Sequence, residues 1–172
     1  MKTLMRNLRR LGACSEAVEW ANTQPDPETL WRGCHRGDWM LWLAARAGVR
    51  RQDVVLAACA CARLALSRVT VGEERPRIAI ETAEAWARGD AGVTLAQVRA
   101  AADAAAYAAD AAADAAAYAA AYASDAAAYA AAAAAARAAT RSACASLVRE
   151  RIPWSAVAAA LAPAALEIGA QP

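Results

Sequence analysis

Residues 103–129 read DAAAYAADAAADAAAYAAAYASDAAAY, and this stretch decides the fold class. The pentad DAAAY begins at Asp103, Asp114 and Asp125, at intervals of eleven residues. Eleven residues make about three turns of α-helix, so equivalent positions return to the same side. The sequence therefore predicts a helix with a line of aspartates beside a line of tyrosines. We call these residues the aspartate–tyrosine ribbon, and its tyrosines are Tyr107, Tyr118, Tyr122 and Tyr129.

The other faces of this predicted helix are almost purely alanine, which lets a second helix approach closely. Tyrosine adds a rigid ring with a polar tip, which suits a protein interface. The ribbon is therefore either a scaffold with partly buried tyrosines and solvated aspartates, or a recognition surface for a partner protein. The alanine faces also allow a homodimer. Ice binding is disfavoured because the repeated residues are Asp and Tyr.

Local signals define how far this helix extends. Thr94 and Gln97 have the spacing of a capping box, and the next Gly or Pro after them is Pro153. One continuous helix over 94–151 would be about 87 Å long at 1.5 Å per residue. A compact chain of this size cannot contain that length. We predict a break near residues 124–125, where a serine precedes an aspartate, or else a projecting helix that pairs with another copy.

Upstream of the repeat, helix-capping residues alternate with helix breakers. Asp26 has the character of an N-cap and Pro27 that of a first helical residue. Ser15 is predicted to cap an earlier helix. Gly37 is predicted to break the helix that follows Pro27, and Asp38 to cap the next one. Strand signals are few.

Further helices follow from apolar spacing at three- and four-residue steps. The predicted segments are a helix from Trp39 closing at Gly48, a helix over 51–69, a helix from Pro76 to Gly89, and a short helix opening at Pro153. The predicted fold class is all-α, a helical bundle of short N-terminal helices packed with a long alanine-rich helix or helical hairpin. We expect a single domain over 1–172, with a Trp-rich half (1–93), the repeat helix (94–151) and a short helix and tail (152–172).

Composition excludes several classes of protein. The chain has 172 residues, a net charge of +2 and 59% hydrophobic residues, a high fraction that alanine accounts for. Charged residues interrupt the alanine tract, so no membrane span is expected. No apolar run suitable for a signal peptide follows the basic first residues. The odd number of cysteines, without disulfide-framework spacing, favours a reducing cytoplasm; they are Cys14, Cys34, Cys59, Cys61 and Cys144.

Catalytic and metal-binding constellations are nearly absent from the sequence. His35 is the only histidine. A zinc set of His35 with Cys34, Cys59 and Cys61 has poor spacing for tetrahedral ligation, and a Cys34–His35 nucleophile pair has no orienting third group. The arginines are scattered, and the aspartates of the repeat would repel phosphate, so nucleic-acid binding is not expected. We expect no enzyme activity, no cofactor and no metal.

Two groups of charged residues lie beside tryptophans and are candidates for partner binding. Arg36 and Asp38 precede Trp39, and Glu81 and Glu84 precede Trp86. Each charged group is either a buried structural bridge or the rim of a binding surface. A small-molecule or enzyme site near Arg36, Asp38 and Glu84 is a further alternative. The full candidate set adds the ribbon tyrosines Tyr107, Tyr118, Tyr122 and Tyr129.

Three runs of the N-terminal half also carry a family resemblance. They are CHRGDWMLWL at 34–43, AACACARLAL at 57–66 and AIETAEAWA at 79–87. With the alanine–tyrosine tract that follows, they resemble the immunity proteins of bacterial polymorphic toxin systems, the group called immunity family five. The resemblance covers residues 14–162.

The resemblance implies a cytoplasmic helical protein that binds and neutralises a cognate toxin without catalytic residues of its own. Such binding needs a preorganised surface with aromatic anchors and charged neighbours. Residues around Trp39, Trp86 and the ribbon tyrosines are the expected contact points. Two other functions stay open: a phage-borne counter-defence protein, and a helical structural protein that self-associates through alanine faces.

Overall fold

Helix is the regular structure throughout the described part of the chain. The structure is a computed structural model that describes residues 1–104 and 126–162, without the side chains of 126–136. No strand occurs within those ranges, so the predicted all-α class is confirmed. Tyr107, Tyr118, Tyr122 and the predicted break at residues 124–125 lie outside the described residues, as does the side chain of Tyr129.

Short helices fill the N-terminal half, and a longer one precedes the C-terminal residues. In chain order the helices are α1 (Lys2–Leu11), α2 (Ser15–Asn22), α3 (Pro27–Gly33), α4 (Gly37–Ala47), α5 (Arg51–Arg63), a 3-10 turn (Leu66–Arg68), α6 (Arg75–Arg88), α7 (Ala126–Arg151) and α8 (Trp154–Ala160). Residues 95–104 are also helical, up to the edge of the described range. None of the described helices is long and apolar enough to cross a membrane.

Several predicted helix ends are confirmed by their hydrogen bonds. The Asp26 carboxylate accepts the backbone N–H of Thr29 at 2.8 Å, with Pro27 as the first helical residue. Thr94 and Gln97 form the reciprocal capping box: the Gln97 amide oxygen accepts the Thr94 N–H at 2.7 Å, and the Thr94 hydroxyl accepts the Gln97 N–H at 3.3 Å. The left-handed glycine that closes α4 is Gly48.

Two predicted N-caps are wrong by one or two positions. Cys14, not Ser15, occupies the N-cap of α2, and its backbone is extended there. Arg36, not Asp38, precedes α4. Asp38 is instead the second residue of α4, and its carboxylate forms an ion pair with the Arg36 side chain at 2.7 Å.

The helix predicted over 51–69 is shorter than expected. α5 ends at Arg63, where Leu64 N–H donates to the carbonyl of Cys61, three residues back, at 3.1 Å. Bonds of this type tighten the last turn of a helix. Leu64 is 39% exposed, so the apolar stripe gains no burial from a further turn. Similarly, α6 begins at Arg75, one residue before the predicted Pro76.

The chain divides into two compact units, Met1–Ala58 with Arg141–Pro172, and Cys59–Thr140. We call them the first and second unit and describe each by itself. The boundaries lie within α5 and α7. The prediction of a single domain stays a prediction.

The first unit contains most of the fully buried side chains. Its core draws on α1, α3, α4 and the C-terminal helices, with Leu4, Leu8, Leu30, Met40, Leu43, Val148, Ile152 and Val157 all at most 5% exposed. At the start of α4, a Cβ added to Gly37 would lie 2.5 Å from Cys144 Cβ and 2.7 Å from Ala145 N. Only glycine allows α4 and α7 to approach this closely.

Among the described residues of the second unit, Cys59 is 6% exposed and Ile80 is 8% exposed. The Cys59 thiol donates to the carbonyl of Ile80 at 3.8 Å, so this bond links α5 to α6. On the same two helices, Arg63 forms two hydrogen bonds with the Glu84 carboxylate, at 2.8 and 2.7 Å.

Candidate functional site

The residues around the start of α4 form a cluster of aromatic and charged side chains in the first unit. We call Glu16, Trp20, Arg36, Asp38 and Trp39 the Arg36–Trp39 cluster. The guanidinium carbon of Arg36 lies 4.3 Å from the centroid of the Trp39 ring, a cation–π distance. The Trp20 and Trp39 rings lie 6.0 Å apart and are tilted by 51°. α2 and α4 thus present two tryptophans side by side, with a cation over one of them.

Two carboxylates hold the Arg36 guanidinium in this position. Arg36 donates to both oxygens of Asp38, from Nε at 2.9 Å and from the terminal nitrogen at 2.7 Å. Its other terminal nitrogen lies 3.3 Å from Glu16. The Arg36 side chain is only 23% exposed and is therefore mostly covered, whereas the Glu16 side chain is 72% exposed. Bidentate pairing fixes the plane of a guanidinium and reduces the entropy it has left to lose on binding.

The backbone that carries Arg36 is itself anchored. The Cys34 thiol donates to the Arg36 carbonyl at 3.6 Å. Arg149, on α7, donates to the Cys34 carbonyl at 2.7 Å, which satisfies a carbonyl at the end of α3. The close approach of Gly37 to Cys144 fixes the next residue. The short segment between α3 and α4 is therefore held from two sides.

The electrostatics of the cluster follow from these contacts. Hydrogen bonding from Arg36 lowers the pKa of Asp38, and the same pairing raises the pKa of the guanidinium. Burial raises the pKa of the Cys34 thiol, which keeps it protonated and able to donate. A protonated buried thiol is a poor nucleophile.

A cavity of about 320 Å³ opens beside the cluster, and we call it the tryptophan cavity. Buried side chains form its floor, including Leu8, Leu30, Trp31, Met40 and Leu43. Half-buried side chains form its walls: Ala13, Ala17, Trp20, Trp39 and Trp42. Among the described lining residues, Asp38 is the one that carries a charge. The cavity is therefore mostly apolar, and three residues of the cluster line it: Trp20, Asp38 and Trp39.

The structure brings three predicted site residues together and places two others in the second unit. Arg36, Asp38 and Trp39 share the cluster. Glu84 is paired with Arg63 and is 16% exposed, which fits a structural bridge. Trp86 is half-buried on α6.

Sequence reasoning missed Glu16, Trp20 and the tryptophan cavity. The pairing of Trp20 with Trp39 joins residues on different helices, and no local spacing encodes it. The sequence feature that could have indicated an aromatic cluster is the high density of tryptophans in the N-terminal half, where the loops between helices are short.

Comparison with known proteins gives no relative for this chain. No family model, no curated protein and no solved structure matches it. Within the described residues, no group of three or more His, Cys, Asp or Glu side chains could hold a metal ion.

Proposed function

We propose that this protein is a non-catalytic, protein-binding inhibitor, an immunity protein that neutralises a cognate bacterial toxin by direct binding. The observation that carries the proposal is the Arg36–Trp39 cluster, with the Arg36 guanidinium 4.3 Å from the Trp39 ring. Tryptophan and arginine dominate the few residues that supply most of the energy of protein interfaces. The cluster offers both types side by side, partly exposed and fixed in position.

The fixed geometry matters because binding must offset the cost of ordering side chains. An immobilised rotamer-rich side chain costs about 0.5–1.5 kcal/mol on association. Asp38 and Glu16 already hold Arg36, and Trp20 already contacts Trp39. Much of that cost is therefore met in the free protein, which favours tight and specific binding over transient contact.

The aspartate–tyrosine ribbon supplies a second expected contact surface on the basis of sequence alone. Tyr107, Tyr118 and Tyr129 recur at the eleven-residue interval and would present their rings along one side of a helix. A self-associating structural protein held by alanine faces is the alternative function. Light scattering on the purified protein tests this alternative, because a monomer at high concentration would exclude it.

The test uses the protein encoded by the gene immediately upstream, co-expressed with this chain and measured by calorimetry after purification. We expect a stable complex and protection of the host cell from toxicity. Arg36→Met and Trp39→Ala should each weaken the complex by at least about thirtyfold, the effect of losing a residue worth about 2 kcal/mol. Arg32→Met is the matched control, because Arg32 is an exposed arginine of the same unit, paired with Glu28.

The variants must keep their helix content for this comparison, which circular dichroism checks. Unchanged affinity in both cluster variants would remove the cluster from the interface. The absence of any complex with the wild-type chain would contradict the immunity proposal.

A further inference from the structure

We propose that the tryptophan cavity binds a compact apolar small molecule, aromatic or aliphatic, that carries no negative charge. This proposal is independent of toxin binding. The cavity volume of about 320 Å³ lies at the lower end of the range of about 300–1,000 Å³ that ligand sites occupy. It is lined by four tryptophans, Trp20, Trp31, Trp39 and Trp42, and all of its lining residues belong to the first unit.

The cavity exists because small residues face large ones. Ala17 and Ala21 lie one turn apart on α2, so both point towards the same side. Ala13 and Gly12, in the turn between α1 and α2, extend this small-residue side. Trp31 is on α3, and Trp39 and Trp42 are on α4. Larger side chains at the alanine positions would fill the space, as expected of a well-packed interior, and their absence leaves room for an occupant.

The buried polar side-chain atoms around the cavity are satisfied, which selects an apolar ligand. The Asp38 carboxylate, which lines the cavity, is occupied by Arg36. The described residues contain no buried side-chain nitrogen or oxygen without a hydrogen-bond partner. A ligand with a charged head group would therefore lose its hydration without gaining a partner inside the cavity.

The charged side chains next to the cavity disfavour anions. Arg36 is shared between two carboxylates, Asp38 and Glu16, so these three side chains together carry one negative charge in excess. Of the three, Asp38 lines the cavity, so an anionic ligand would meet a carboxylate as well as an apolar interior. Trp20 and Trp39, half-buried at the same place, offer ring faces and edges to a flat apolar molecule.

The test compares two dyes with the same ring system on the full chain. N-phenyl-1-naphthylamine is neutral, and 8-anilinonaphthalene-1-sulfonate adds a sulfonate; both fluoresce more strongly in apolar surroundings. We expect saturable binding of the neutral dye, with quenching of tryptophan emission by energy transfer, and at least tenfold weaker binding of the sulfonate. Bound dye should also raise the melting temperature, since it binds the folded state.

Cavity-filling variants locate the site. Ala17→Leu should weaken binding of the neutral dye at least tenfold, and Ala13→Leu, in the turn between α1 and α2, is the second filling variant. Ala45→Leu is the control, because Ala45 is exposed on α4 and does not line the cavity. Circular dichroism and melting confirm which variants fold.

Three results would overturn the proposal. The first is the absence of saturable binding by the neutral dye. The second is wild-type affinity in a folded filling variant. The third is sulfonate binding as tight as that of the neutral dye, which would exclude the proposed ligand class.

Discussion

The indole N–H of Trp31 donates a buried hydrogen bond to the carbonyl oxygen of Ile152 at 3.2 Å, across 121 positions of sequence. Trp31 is 3% exposed and Ile152 is 1% exposed. Ile152 follows the last residue of α7, where helical carbonyls lack partners within the helix. A tryptophan of α3 thus satisfies a carbonyl between α7 and α8, and its ring also forms the floor of the tryptophan cavity.

Trp31→Phe should lower the free energy of unfolding by about 2 kcal/mol, because it leaves a buried carbonyl unpaired and reduces core volume. Trp154→Phe is the matched control. The Trp154 ring lies 6.3 Å from Trp31, but Trp154 is half-buried and makes no hydrogen bond from its indole within the described residues. Trp154→Phe should therefore lower the free energy of unfolding by less than about 1 kcal/mol. Urea unfolding measures both, and equal losses would contradict the role of the hydrogen bond.

Gly37→Ala should destabilise the protein by at least about 2 kcal/mol, because the new Cβ meets Cys144 and the backbone nitrogen of Ala145. The backbone cannot yield as the end of a flexible side chain can. Gly33→Ala is the control: it lies at the end of α3, and a Cβ there meets nothing within 4 Å. We expect it to be neutral or to stabilise the fold by up to about 1 kcal/mol. Chemical denaturation distinguishes the two outcomes, and equal stability of the two variants would contradict close packing at Gly37.

The predictions from sequence succeeded where short-range chemistry decides the structure. The Asp26 cap, the Thr94–Gln97 capping box and the left-handed end at Gly48 each depend on residues within a few positions of one another. The same local reasoning failed at Asp38. Its pairing with Arg36, from the second position of α4, depends on the place of that guanidinium between Trp39 and Glu16, which local spacing does not define.

Long-range packing accounts for the rest of what the sequence did not predict. Nothing near Gly37 indicates that Cys144 will lie against it. The tryptophan cavity likewise depends on α2 facing α4, a relationship between two helices whose apolar faces could pair in several ways. The sequence identifies the individual tryptophans but does not predict the cavity that they line.

Asp38 should titrate below its ordinary pKa of 3.8, because Arg36 stabilises the carboxylate by hydrogen bonding. A carboxyl group whose pKa is lower in the folded state stabilises the fold at any pH above its pKa in the unfolded state. That stabilisation is lost as the pH falls through its pKa in the folded state. The wild type should therefore lose more stability than Asp38→Asn on acidification below pH 3.8.

Carbon-13 NMR of the side-chain carboxyl measures this pKa directly. Arg36→Met should move the pKa of Asp38 back up towards 3.8, and Arg32→Met should leave it unchanged. An Asp38 pKa that does not respond to the loss of Arg36 would show that the ion pair is absent in solution.

Glu84→Gln should reduce the free energy of unfolding by about 1 kcal/mol, because Glu84 accepts two hydrogen bonds from Arg63 and is largely covered. Glu81→Gln is the control on the same helix. Glu81 is paired with Arg77 but is 46% exposed, so its ion pair is screened by solvent and its loss should cost less than about 0.5 kcal/mol. Thermal and urea unfolding measure both variants.

Because this bridge links α5 to α6, its loss should lower the stability of the protein while leaving toxin affinity unchanged. A loss of affinity without a loss of stability would instead place Glu84 in the interface.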